Sequence, residues 1–310
     1  MRDKLKPIII IAGPTGTGKS NVAIQLAKLL ATEIISADSV QVYKGFDIGS
    51  GKVTHQEMDG IKHHLIDCSE ADRQFSVEEF QKNSSQIIEK LLEENKFPIV
   101  CGGTSLYIHS LLYNLDFSKE KRDPNLRTQL EIIYEKKGAE KLFSILKQLD
   151  PDKARTIDPH NHRRLIRAIE IAKSGKKVTY DKFRERNTKW DFKYFVLIRE
   201  RQALYDRINK RVLKMRENGL ITEVESLYKK YGERAPGLKT IGYKEIVSYL
   251  NKELSLEQAI EKVQQHSRNL AKRQLTWYRR EENTIPIYID EHSTAKEVSK
   301  IIFEKIMKQE

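Results

Sequence analysis

Eight residues near the amino end, Gly13-Pro14-Thr15-Gly16-Thr17-Gly18-Lys19-Ser20, match the pattern G-x-x-x-x-G-K-[ST] in full. An apolar β-branched run over 6–12 leads into them, and a helical pattern through Val22, Ile24, Leu26, Leu29 and Leu30 follows. Glycines let successive backbone N–H groups turn inward around an anion, and the start of the helix adds its partial positive charge. Lys19 brings a mobile cation, and the Ser20 hydroxyl is placed to ligate Mg²⁺. Such a loop binds a di- or triphosphate-like group.

Hydrolytic phosphate-loop proteins usually carry a strand ending in a magnesium-binding Asp with an activating residue nearby. Here the apolar run 97–101 ends in Gly102-Gly103-Thr104, with no carboxylate. The strand-end acid close to the loop in sequence is Asp38, after the run 33–36. Its type and position suit a metal ligand, a general base or a cap on the turn into Ser39. On a helix through Leu204, Ile208, Val212 and Met215, Arg211 falls beside the apolar stripe. That position suits either an anion contact or a stem lying over the core.

Strand signals at 6–12, 33–36, 64–67 and 97–101 alternate with helices, among them one over 75–95, which predicts a parallel sheet covered on both faces. In such sheets ligands bind beyond the carboxyl ends of the strands, where the glycine loop, Asp38 and Thr104 all fall. From about 116 to 192 the pattern turns helical and basic, and strands return at 193–199 and 285–289. The expected architecture is a phosphate-loop α/β core in two parts, 1–115 and 193–310, interrupted by a helical insertion domain over 116–192. A helix over about 256–280 starts with the capping pattern Ser255-x-x-Gln258, and its Ile260, Val263, Leu270 and Trp277 read as core.

The chain has 310 residues and 39% hydrophobic composition, enough for a substantial core. Its longest apolar runs are too short for a membrane span, and two cysteines, Cys68 and Cys101, make no disulfide framework. The expectation is a cytoplasmic protein. Lys+Arg outnumber Asp+Glu by 56 to 44, and the excess is concentrated: 1–100 holds 12 basic and 14 acidic residues, whereas 153–216 holds 20 and 7. Charge polarity of that kind points to an extended polyanion, a nucleic acid, as partner. Arg163, Arg164 and Arg167 form a cluster within that stretch, the first and last on one helical face. Arg268 and Lys272 share a stripe of the later helix. The pair His63-His64 lacks a second pair of ligands at zinc spacing and reads as structural or as a support behind the site's own residues.

Eight blocks in order resemble the tRNA dimethylallyltransferase family. They are residues 13–20; Glu33-Ile34-Ile35-Ser36-Ala37-Asp38-Ser39-Val40-Gln41-Val42-Tyr43; Gly45-Phe46-Asp47-Ile48-Gly49; and His63-His64-Leu65-Ile66-Asp67. Further on come Phe97-Pro98-Ile99-Val100-Cys101-Gly102-Gly103-Thr104; Arg163-Arg164-Leu165-Ile166-Arg167-Ala168-Ile169-Glu170; Ile241-Gly242-Tyr243-Lys244-Glu245; and Ala271-Lys272-Arg273-Gln274-Leu275-Thr276-Trp277. The resemblance runs from about residue 8 to 290. It implies transfer of a dimethylallyl group from dimethylallyl diphosphate to the exocyclic amine of the adenosine just 3′ of the anticodon, with Mg²⁺ and one chain sufficing as a monomer. The implied catalytic residues are Asp38 as base, Lys19, Thr104, and Arg211 on the diphosphate. The implied tRNA contacts are Asp38, Ser39, Val40, Gln41, Thr104, Arg127, Arg163, Arg164, Arg167, Lys239, Gly242, Tyr243, Lys244, Arg268 and Lys272.

The sequence departs from the family pattern at Val40, where many members are basic or small, at Ser105, where glycine is common, and at Gly49-Ser50-Gly51-Lys52-Val53, which replaces Gly-Thr-Ala-Lys-Pro. No zinc-finger pattern follows the last block, so the expected resemblance is to bacterial members, without a C-terminal zinc-finger extension. An adenylate isopentenyltransferase shares the first hundred residues' features, but AMP needs no basic footprint of this size. A small-molecule kinase and a non-catalytic RNA-binding protein are the other readings. The former leaves the basic half unexplained, and the latter leaves an intact loop with Asp38 and Arg211 unused.

Overall fold

The structure is a computed structural model that describes residues 6–113, 115, 123–174, 185–232, 235–290 and 292–308. The chain forms two compact units, one of residues 1–112 with 187–310 and one of residues 113–186. The boundary expected at 116 lies outside the described residues, and 187–192 belong with the sheet-bearing unit.

The first unit holds a six-stranded sheet of β1(Ile8–Ala12), β2(Ile34–Ser36), β3(His63–His64), β4(Ile99–Gly102), β5(Phe192–Arg199) and β6(Thr284–Ile289) in the order β3-β2-β4-β1-β5-β6. Every pairing is parallel. The described helices, in chain order, are α1(Lys19–Leu30), α2(His55–Met58), α3(Val77–Glu93), α4(Ser105–Leu112), α5(Pro124–Leu149), α6(Pro151–Ala154), α7(His162–Lys173), α8(Arg201–Glu217), α9(Leu220–Tyr231), α10(Tyr243–Leu250), α11(Leu256–Tyr278) and α12(Ala295–Met307). Helices α5, α6 and α7 make up the second unit, around a core that includes Leu130, Leu142, Leu165 and Ile169.

The four consecutive isoleucines of β1 are all fully buried because the strand is central and covered on both faces. Ile8 and Ile10 enter one hydrophobic cluster, with α3, α4 and α11, and Ile9 and Ile11 enter another, with α1 and α12. Each such burial contributes about 1.5–3 kcal/mol, so β1 is a rigid base for the loop that follows it.

Two local expectations change. The third strand is only His63–His64, because Leu65 and Asp67 take positive φ (60° and 51°) and leave the extended conformation. Trp277 is 37% exposed rather than core, with its ring edge-on to His109. In the last turns of α11 the inward face is taken by Ala271, Gln274 and Tyr278, which leaves Trp277 turned toward solvent. The 75–95 helix begins at Val77, where Ser76 and Glu79 form a capping box.

Candidate active site

Helices α3, α11 and α12 close their N-termini with side-chain capping boxes, whereas α1 starts at Gly18 with no side-chain cap. Its first amides therefore face the loop 13–18, an arrangement that attracts an anion. Within the loop, Thr17 Oγ1 donates to the Pro14 carbonyl at 2.8 Å, and Lys19 Nζ donates to the same oxygen at 3.1 Å. Burial lowers the Lys19 pKa from its ordinary value; Arg211 adds to the effect, against Cys101 and Asp38, which oppose it. Burial pushes the neighbouring Cys101 thiol up to about 12, so it stands as a neutral group in the wall.

Asp38 follows β2, and its Oδ1 accepts from the amides of Val40 (2.9 Å) and Gln41 (3.2 Å). It thus caps the turn, one of the roles its position allows, while its carboxylate lines the same cavity as Lys19 and Ser20. Thr104 Oγ1 accepts from the Ser39 amide at 2.9 Å and lies 3.3 Å from Ser39 Oγ, which holds the end of β4 against the end of β2. The strands approach so closely there that a Cβ on Gly102 would lie 2.1 Å from the Ala37 carbonyl oxygen.

Arg211 comes from α8. Its Nη1 donates to Thr15 Oγ1 at 3.3 Å, and its Nη2 donates to the carbonyls of Ser50 (3.4 Å) and Gly51 (3.3 Å). Burial lowers its pKa, opposed by Asp38 and then Glu57, and a guanidinium remains cationic all the same.

Lys19, Asp38, Cys101 and Arg211 line one cavity of about 370 Å³, within the range of small-molecule sites, whereas Thr104, expected at the reaction centre, stands outside its lining and holds Ser39 instead. Thr15, Lys19, Ser20 and Arg211 form its cationic end, and Ile208, Val212, Met215, Ile241, Val263 and Leu270 give an apolar wall. Asp38, Ser39, Val40, Gln41, Lys239 and Gly242 are also among its lining residues. The sequence-derived set is therefore brought together for Asp38, Lys19, Ser20 and Arg211. Several other members stand elsewhere. Tyr243 is fully buried, its hydroxyl donating to Glu223 and accepting from the Ser50 amide, so it has no surface to offer an RNA. Arg268 Nη1 donates to Asn209 Oδ1 at 2.6 Å, tying α11 to α8. Lys244 and Lys272 are exposed.

In the second unit, Arg127 and Arg167 both donate to the buried Glu170, at 3.4 and 3.3 Å. Arg163 and Arg164 are exposed on α7. Of the histidine pair, His64 Nε2 lies 2.6 Å from Glu33 Oε2, and His63, which lines the cavity, has its Nδ1 2.9 Å from the Ile61 carbonyl.

Sequence reasoning misses three groups that hold the phosphate loop. Gln274 Oε1 accepts from the Thr15 amide at 2.9 Å while its Nε2 donates to the Gly103 carbonyl at 2.8 Å. Arg199 Nε donates to the Thr17 carbonyl at 3.1 Å, and Arg207 Nε to the Gly16 carbonyl at 3.0 Å. The two arginines sit within a long basic stretch with nothing local to single them out. Gln274 lies inside a quoted block, flanked by the charged residues that draw the eye.

A sequence profile of the IPP transferase family matches residues 41–281. The chain is 45% identical over 276 residues to the tRNA dimethylallyltransferase of an Exiguobacterium species, covering 89% of this chain and 88% of the relative. It is 42% identical over 306 residues to that of Caldanaerobacter subterraneus subsp. tengcongensis, covering 96% of both. Among solved structures, the tRNA isopentenylpyrophosphate transferase of Bacillus halodurans matches with a TM-score of 0.74 at 37% identity, over 99% of this chain and 98% of that one. A eukaryotic dimethylallyltransferase acting on tRNA matches at 0.78 and 30% identity, over 98% of this chain and 77% of that one. The resemblance read from the eight blocks is thereby established, and the chain belongs to the IPP transferase family.

Proposed function

We propose that this protein transfers a dimethylallyl group from dimethylallyl diphosphate to the exocyclic amine of the adenosine 3′-adjacent to the anticodon in tRNA, releasing diphosphate. The observation that carries the reading is a single cavity with a cationic end at Lys19 and Arg211, an apolar wall sized for a short hydrocarbon, and the Asp38 carboxylate. Its relatives are named for the same transfer to tRNA.

In this reading the loop amides, Lys19 and Arg211 hold the diphosphate, and the wall from α8 and α11 holds the prenyl chain. The allylic C–O bond breaks, leaving charge on the departing oxygens where those cations are strongest. The adenine amine is a poor nucleophile because its lone pair is delocalised into the ring. As the C–N bond forms, Asp38 accepts the amine's proton. An anticodon base reaches such a cavity only after it is turned out of its stack. Exposed Arg163 and Arg164, with Lys239, Lys244 and Lys272, supply phosphate contacts.

No group of three or more His, Cys, Asp or Glu suited to a metal exists among the described residues. Mg²⁺ would be held by the Ser20 hydroxyl, the donor's diphosphate oxygens and water, a set that suits a hard cation that keeps its waters. When bound it neutralises charge on the leaving group. No described helix is long and apolar enough to cross a membrane. The sheet-bearing unit carries the whole cavity, which supports one chain acting as a monomer, and a tRNA acceptor supports a cytoplasmic reaction. Incubation of the protein with Mg²⁺, dimethylallyl diphosphate and unmodified tRNA is expected to add one prenyl mass to the tRNA. Prenylation of AMP instead, or consumption of ATP, would overturn the assignment.

A further inference from the structure

Arg211 is held by backbone, and that backbone is held by one carboxylate. Glu223 lies in the first turn of α9. Its Oε2 accepts from the amides of Ile48 (2.6 Å) and Asp47 (3.2 Å), and its Oε1 accepts from the Gly49 amide (3.0 Å) and the Tyr243 hydroxyl (2.7 Å). The Tyr243 oxygen in turn accepts from the Ser50 amide at 3.1 Å. Four successive N–H groups, 47 to 50, are thus satisfied by two side chains that never touch the cavity's phosphate end. The next two carbonyls, of Ser50 and Gly51, receive Arg211 Nη2, whose partner Nη1 reaches Thr15 of the phosphate loop. Contact there is close: Gly51 has φ +58°, and a Cβ on it would fall 1.5 Å from Arg211 Nη2.

We infer that Glu223 is a positioning residue for the diphosphate, acting through the 47–51 loop on Arg211. The inference rests on the diphosphate-donor reading given above. A carboxylate is required because all four of its partners are donors. Glutamine in its place would turn an NH₂ toward an N–H or O–H, whereas aspartate keeps both acceptors at the cost of one methylene.

The test is calorimetric titration of the full chain with inorganic diphosphate and Mg²⁺, which does not depend on prenyl transfer. Glu223→Gln is expected to weaken diphosphate binding roughly tenfold, and Glu223→Asp to weaken it less. In an Arg211→Ala background, Glu223→Gln is expected to cause no further loss, because the guanidinium it positions is gone. Should Glu223→Gln fail to fold, Tyr243→Phe runs the same cycle with a smaller expected loss. Unchanged affinity in the single variants, or an equal loss with and without Arg211, overturns the inference while leaving the functional reading intact. Failure of the unaltered protein to bind diphosphate overturns both.

Discussion

Gln274 and Thr15 are 259 residues apart in the chain, and the Gln274 carboxamide oxygen accepts the Thr15 amide proton at 2.9 Å. The same carboxamide donates to Gly103, so one side chain of α11 fixes the spacing between the phosphate loop and the end of β4. Gln274→Ala leaves the half-buried Thr15 amide without its partner, a cost of about 1–3 kcal/mol, and leaves the Gly103 carbonyl only the Tyr278 hydroxyl at 3.4 Å. The expected result is a lowered Tm together with a raised KM for the prenyl donor. Gln274→Glu keeps the acceptor for Thr15 but sets a carboxylate against the Gly103 carbonyl, in the anion's own neighbourhood. It is expected to raise the donor KM more than Gln274→Ala does. Steady-state kinetics on both variants decides this, and equal donor KM values in both would contradict it.

Substitution separates the capping role observed for Asp38 from the role of base proposed for it. Asparagine keeps the Oδ1 that caps the Val40 and Gln41 amides and loses only the proton-accepting carboxylate. Asp38→Asn is therefore expected to retain the Tm and tRNA affinity of the unaltered protein while transfer falls by about 10²–10⁴-fold. Asp38→Ala is expected to lose transfer as well and to cost roughly a further 1 kcal/mol of stability through the missing cap. Single-turnover transfer and thermal unfolding measure the two effects separately, and near-normal transfer by Asp38→Asn would remove the base from the mechanism.

The difference between what the sequence shows and what it hides is one of range. Residues 13–20 are legible because a phosphate loop is a local object, its geometry set by glycines and a helix start within eight positions. Asp38 is legible as a cavity residue because strand ends in a parallel sheet share one edge, and the same rule brings Thr104 beside Ser39. Gln274, Arg199, Arg207 and Glu223 act across long stretches of chain, and nothing in their immediate neighbours marks them. Tyr243 shows the converse. Its sequence block suggests a contact with RNA, yet burial turns the hydroxyl inward to a carboxylate.

Lys19 gives a proton-linked prediction. Burial depresses its ammonium below the ordinary 10.5, and a diphosphate in the loop favours the charged form. In alkaline buffers below pH 10.5, binding of diphosphate should therefore draw a proton onto the protein. The stability of the free protein should rise with pH across the same window, since the unfolded chain holds more protons there. Calorimetry in two buffers of different ionisation enthalpy reads the uptake. Lys19→Arg, whose guanidinium does not titrate, should abolish it. Equal uptake by both proteins would assign the proton to another group.

The arginines of the second unit divide by what they already hold. Arg127 and Arg167 converge on Glu170, whose side chain is 4% exposed, so removing either leaves a buried carboxylate with one partner fewer. Arg127→Ala and Arg167→Ala are expected to lower the melting temperature, because desolvating an under-paired charge is costly. Arg163 and Arg164 stand exposed on α7, so their removal should leave stability within about 0.5 kcal/mol. If they contact phosphates, each substitution to Ala weakens tRNA binding across sequences and reduces the slope of log K against log salt by about 1. Filter binding over a salt series, paired with thermal unfolding, separates the two classes. A salt slope unchanged in Arg163→Ala and Arg164→Ala would take α7 out of the RNA footprint.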